Sequence, residues 1–118
     1  MDEQATRNAR AALEQVPELR AGENFLVIGD DATAEVADAF AAAGGQIGAR
    51  VVTYRLRDVE RPLQSVPEDL MVVVPDTDIA VTCFSSRQAE TPFRVSLIGA
   101  LTRVVRRLGH APGITMPT

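Results

Sequence analysis

The residues of this 118-residue chain that are equipped for chemistry gather at three places. Gly29-Asp30-Asp31-Ala32-Thr33 stands where an apolar run gives way to a helical pattern, the position at which layered α/β domains often hold a ligand. Ser85, Ser86, Arg87, Glu90, Thr91 and Arg94 surround a helix start, where backbone N–H groups and arginines suit an anion or a substrate carboxylate. His110, the single histidine, lies near the mouth of a last apolar segment. Asp30, Ser85, Ser86, Thr91, Arg94 and His110 are therefore the candidate ligand contacts.

Each has a plainer role beside it. Asp31 is placed to cap the helix that follows, Thr91 is placed as an N-cap with Pro92 at the first helical position, and His110 suits packing or hydrogen bonding. A dinucleotide fingerprint needs three glycines so that backbone N–H groups approach a pyrophosphate; here two acidic side chains would repel one. One His, one Cys and scattered carboxylates, without HExxH or paired cysteines, make no metal set, so no metal and no other cofactor is expected in this chain. Cys83 sits in an apolar run with only His110 as a conceivable base and reads as a small buried residue; Asp76 and Asp78 read as a solvated turn. No catalytic residue is expected.

The elements that would position these groups follow from periodicity. Asp2 to Val16 has helical spacing with a weak, alanine-rich stripe that belongs on the rim of the domain, and Pro17 ends it. Phe25 to Gly29 is continuously apolar, the mark of a strand buried on both faces of a parallel sheet. Val36, Phe40, Ala43 or Gly44, and Ile47 share a helix face, with Gly48 as a left-handed cap; the competing reading stops that helix at Ala43. Arg50 to Leu56 is the second strand, and Arg57 to Gln64 a charged connection. Ser65 and Glu68 have capping-box spacing, which predicts a helix from Pro67 to Val74, although Met71 to Val74 also suits a strand. Ile79 to Phe84 is the third strand. A last helix starts at Thr91, buries Val95, Ile98, Leu101, Val105 and Leu108, and closes at Gly109; His110 to Thr115 is a short fourth strand. The alternation predicts a single three-layer α/β domain, Rossmann-like, with a mainly parallel four-stranded sheet flanked by helices, and the order 2-1-3-4 is the one chosen for it.

Composition narrows the partners. Acidic residues outnumber basic ones 16 to 12, a formal net charge of −4, which speaks against a nucleic-acid surface. All the basic residues are arginine, which follows most simply from a GC-rich codon usage. No run reaches the roughly 20 apolar residues of a membrane helix, and charges in the first ten residues speak against a secretory signal, so a cytoplasmic protein with no membrane partner is expected.

The order GENFLVIGDD, a helix ending in GARV, a strand after Asp78, ETPFR and finally RLGHAPGIT resembles the N-terminal domain of the thermophilic-type metallo-aminopeptidases, the leucyl aminopeptidase or aminopeptidase T group, to which hydroxypyridine ring-cleaving dioxygenases are similar. The resemblance runs from Gly22 to Thr115, with Pro112-Gly113-Ile114-Thr115 its most specific piece; the Gly44-Gly45 pair and the compact Pro67 to Asp78 segment depart from it. It implies a non-catalytic domain that packs beside a C-terminal hydrolase domain and shapes access to it. The divalent metal and its ligands would belong to that other domain, and no catalytic or metal-binding residue transfers to this chain. Two further uses stay open: a stand-alone small-molecule-binding module using the carboxyl ends of strands 1 and 3, and a homo-oligomeric interaction subunit.

Overall fold

The computed structural model describes residues 3–15 and 18–110. Its centre is β1 (Asn24–Asp30), six of whose seven residues are buried. Successive side chains of a strand point to opposite faces, so Phe25 and Val27 join one apolar cluster while Leu26 and Ile28 join another. A strand that must satisfy two cores is necessarily internal. β2 (Arg50–Leu56) pairs with it in parallel on one side and β3 (Ile79–Thr82) on the other, and β4 (Arg107–His110) pairs in parallel with β3. The order is 2-1-3-4, as expected.

Helices cover both faces. α1 (Glu3–Gln15) and α2 (Ala34–Ile47) pack on the Phe25 side, through Ala9, Leu13, Ala39, Phe40 and Ala43. α3 (Glu68–Val73) and α4 (Thr91–Thr102) pack on the Leu26 side, through Leu70, Phe93, Leu97 and Leu101. The sheet grows outward from β1 to β2 in one direction and from β3 to β4 in the other. With crossovers of one hand, the helix of each unit must then lie on opposite faces, and the boundary between β1 and β3 becomes the switch point of the sheet.

α2 continues through both glycines, and Gly48 ends it at φ +99° with its N–H returned to the carbonyls of Gly44 and Gly45. Gly44 is required by packing, since a Cβ there would lie 2.6 Å from the ring of Phe25. Nothing in the structure explains Gly45, around which a Cβ would meet no atom within 4 Å.

Several expected details are corrected. Thr91 is already helical (φ −52°, ψ −46°), so Glu90 and not Thr91 is the N-cap residue of α4. α4 stops at Thr102 and not at Gly109, because Arg106 N–H bonds to the carbonyl of Asp78 at 2.7 Å and the chain then pairs with β3. Its buried row is Phe93, Leu97 and Leu101, which leaves Val95 67% exposed. Gly109 is a buried residue of β4. Asp31 does not cap α2; Thr33 occupies the cap position and Asp31 accepts a bond from Asp58 N–H. α3 begins at Glu68 with no side-chain cap from Ser65, and a 3-10 turn, Val74–Asp76, follows it. α1 buries Ala9 and Leu13 completely, more than a rim helix would. Val16, Pro17 and the predicted strand and turn beyond His110, including Pro112 to Thr115, lie outside the described residues.

Candidate functional site

β1 ends in Asp30, and everything around that carboxylate follows from its burial. An aspartate closing a doubly buried strand loses its water and needs donors from the protein. Its Oδ1 accepts Thr33 N–H at 2.9 Å and the Thr33 hydroxyl at 2.7 Å. Its Oδ2 accepts Ser85 N–H at 2.8 Å, the Ser85 hydroxyl at 2.6 Å and Arg61 Nη1 at 2.7 Å. Arg61 arrives from the connection after β2. The same guanidinium forks onto Glu90, with Nε 3.0 Å from Oε2 and Nη2 on Oε1, and donates through Nη2 to the carbonyl of Ser85 at 2.9 Å. Leu63 N–H completes the shell of Glu90 at 2.8 Å. The side chains of Arg61, Asp30 and Glu90 have no exposed surface.

The charges answer to this geometry. Burial pushes Asp30 upward, but the Ser85, Thr33 and Arg61 donors outweigh it and hold the carboxyl well below its usual range. The Arg61 fork holds Glu90 down against burial, and the Glu90 carboxylate raises Arg61 in return. All three are ionised at neutral pH, two carboxylates sharing one guanidinium. Among the described residues, no buried side-chain nitrogen or oxygen lacks a hydrogen-bond partner. The cluster fills the carboxyl end of the sheet between β1 and β3 with the protein's own groups.

An open cleft lies beside it. Thr82, Phe84, Ser86, Arg94, Val95, Ile98, Gly99 and His110 line a space of about 630 Å³ over the carboxyl ends of β3 and β4, against α4. The Nδ1 of His110 is 2.5 Å from the Thr82 hydroxyl, an alignment set by the pairing of Thr82 with His110 across the two strands. Arg94 donates to the carbonyl of Arg87 and, at 3.2 Å, to the Thr91 hydroxyl.

The sequence-predicted contacts therefore divide. Asp30 and Ser85 belong to the sealed cluster; Ser86, Arg94 and His110 meet in the cleft; Thr91 only steadies Arg94 and bonds the carbonyl of Gln88. Sequence reasoning missed Arg61 altogether and placed Glu90 only among the polar loop residues. The signal available was Asp30 itself, since an acid at the end of a buried strand demands a cation. Cys83 is buried, and burial first, with the Asp30 charge adding to it, pushes its thiol up to about 12, so it is no nucleophile at neutral pH. Asp78 accepts Asn24 N–H at 2.8 Å at the opposite end of the sheet, a turn-fixing role. Among the described residues no group of three or more His, Cys, Asp or Glu side chains is placed to hold a metal ion, and no helix is long and apolar enough to cross a membrane. No protein-family model matches the chain, and the curated proteins contain no match to it.

Proposed function

We propose that this chain is a non-catalytic α/β domain of a metallo-aminopeptidase-like protein, which packs beside a C-terminal domain carrying the divalent metal and shapes access to it. The observation that carries the proposal is the sealed switch point. Where such a sheet commonly holds a substrate or cofactor, Asp30 is engaged by five donors and Glu90 by three, so the reactive groups of the fold are spent on one another. A carboxylate held ionised and dry by its own protein neither accepts a proton from a substrate nor reaches one. The domain is then a rigid support, and the chemistry is supplied elsewhere. The order GENFLVIGDD to RLGHAPGIT is what directs the proposal to the aminopeptidase group.

The test uses the purified chain with aminoacyl nitroanilides and added zinc, cobalt or manganese. No turnover is expected; turnover suppressed by a chelator would overturn the proposal. The reading frame after Thr118 supplies the complementary test. A following segment rich in His, Glu and Asp is expected, and an immediate stop codon would leave the chain a stand-alone relative.

A further inference from the structure

We propose that the cleft between β3, β4 and α4 is a binding site for a small monocarboxylate with a compact apolar body. The inference is independent of the aminopeptidase reading, because it rests on residues that the sealed cluster does not use.

Charge identifies the polar end of the ligand. Among the described residues Arg94 is the one formally charged residue lining the cleft, and no Asp or Glu lines it. Its hydrogen bonds go to neutral acceptors, the Arg87 carbonyl and the Thr91 hydroxyl, and it takes part in no ion pair among the described residues. Two of the five guanidinium N–H groups are thus engaged, and the others remain for an acceptor. Among the described residues the buried charges at this end of the sheet, Arg61, Asp30 and Glu90, are matched with one another, whereas the half-buried Arg94 is not in an ion pair. Ser86, whose hydroxyl has no partner among the described residues, and His110 line the same space. The Thr82 hydroxyl holds Nδ1 of the His110 ring, which fixes the imidazole in place at the edge of the space. A guanidinium with free N–H groups beside a hydroxyl, with no acid among the described lining residues, suits a carboxylate.

The remaining lining, Phe84, Val95, Ile98 and Gly99, is apolar and describes the body of the ligand. A space of about 630 Å³ falls within the ordinary range of small-molecule sites. Gly99 keeps the α4 side of this wall small. It lies inside α4, where glycine costs about 1 kcal/mol relative to alanine, yet a Cβ there would meet no atom within 4 Å. Packing does not require this glycine. Gly99 lines this cleft and also the neighbouring groove of Val66, Met71, Ser96, Ala100 and Arg103, so it forms part of the wall between the two.

The experiment is calorimetric titration of the full chain with 4-methylvalerate, its neutral isostere 4-methylvaleramide, isoamylamine and acetate. The acid is expected to bind saturably with Kd on the order of 1 mM or tighter, the amide about tenfold more weakly because the charge-assisted bonds are lost, and the amine and acetate not measurably. Arg94→Gln should weaken the acid by about tenfold. The melting temperature of Arg94→Gln should stay close to that of the parent chain, which separates lost recognition from an unfolded chain. Equal binding of acid and amide, binding unchanged by Arg94→Gln, or no saturable binding of the acid would each overturn the proposal.

Discussion

The carboxyl end of this sheet carries two polar regions a few residues apart, and they have opposite constructions. At the β1–β3 boundary, Arg61, Asp30 and Glu90 are fully buried and mutually bonded. Over β3 and β4, Ser86 and His110 are exposed, Arg94 is half-buried, and the space between them is open. The two regions share the loop after β3: Ser85 turns its hydroxyl and N–H into the first, and Ser86 lines the second. Alternation along an extended chain sends neighbours to opposite sides, so one short segment serves both. The difference separates polar groups that hold the fold together from polar groups left over for a ligand. A motif-level reading treats them alike.

The comparison is broken most forcefully at Arg61. Arg61→Leu leaves two buried carboxylates without their cation and should cost about 3–5 kcal/mol, whereas Arg87→Gln, which removes the exposed pair with Asp58, should cost at most about 1 kcal/mol. Urea denaturation of both variants measures the contrast, and similar losses would mean that the cluster does not hold the fold.

Acid attacks the same region. Asp30 and Glu90 have folded pKa values below their unfolded ones, so the unfolded chain binds more protons as the pH falls. The stability they contribute is complete above the unfolded carboxyl values of about 4 and is lost progressively as the pH drops toward the depressed folded values. Denaturation midpoints should therefore fall steeply below about pH 4. In Asp30→Asn that acid limb should be shallower, though the variant starts from a lower stability at pH 7. An unchanged slope would remove Asp30 from the account.

Two helix glycines sharpen the contrast between filled and open space. Gly44→Ala drives a Cβ into the Phe25 ring and should cost about 1–3 kcal/mol. Gly99→Ala adds a methyl over the open cleft and should gain up to about 1 kcal/mol. Thermal melts of the pair read both signs, and a loss at Gly99 would mean that the cleft is not the open space described.

Much of the scaffold was legible in the sequence for local reasons. FLVIG declares a doubly buried strand, Gly48 declares a left-handed cap, and the β/α alternation leads to a parallel sheet, whose order of 2-1-3-4 the alternation alone does not fix. The last helix was misread because Val95, Ile98, Leu101, Val105 and Leu108 make a plausible stripe. Phe93, Leu97 and Leu101 make the one that packs, and Leu108 is claimed by pairing with β3. The sealed cluster was hidden for a different reason. Arg61 is 31 residues from Asp30 and 29 from Glu90, in a connection whose charges look solvated, and no local pattern selects it from 12 arginines. The cleft residues Ser86, Arg94 and His110 were named individually, but their meeting depends on β4 lying beside β3.

The most direct test of the division between sealed and open regions is an amide ¹H–¹⁵N correlation map of the chain titrated with 4-methylvalerate. Saturable shifts are expected at Ser86, Arg94, Val95, Ile98, Gly99 and His110, with Asp30, Thr33 and Arg61 unmoved. Shifts centred on Asp30, Thr33 and Arg61, with the α4 and β4 amides silent, would contradict it.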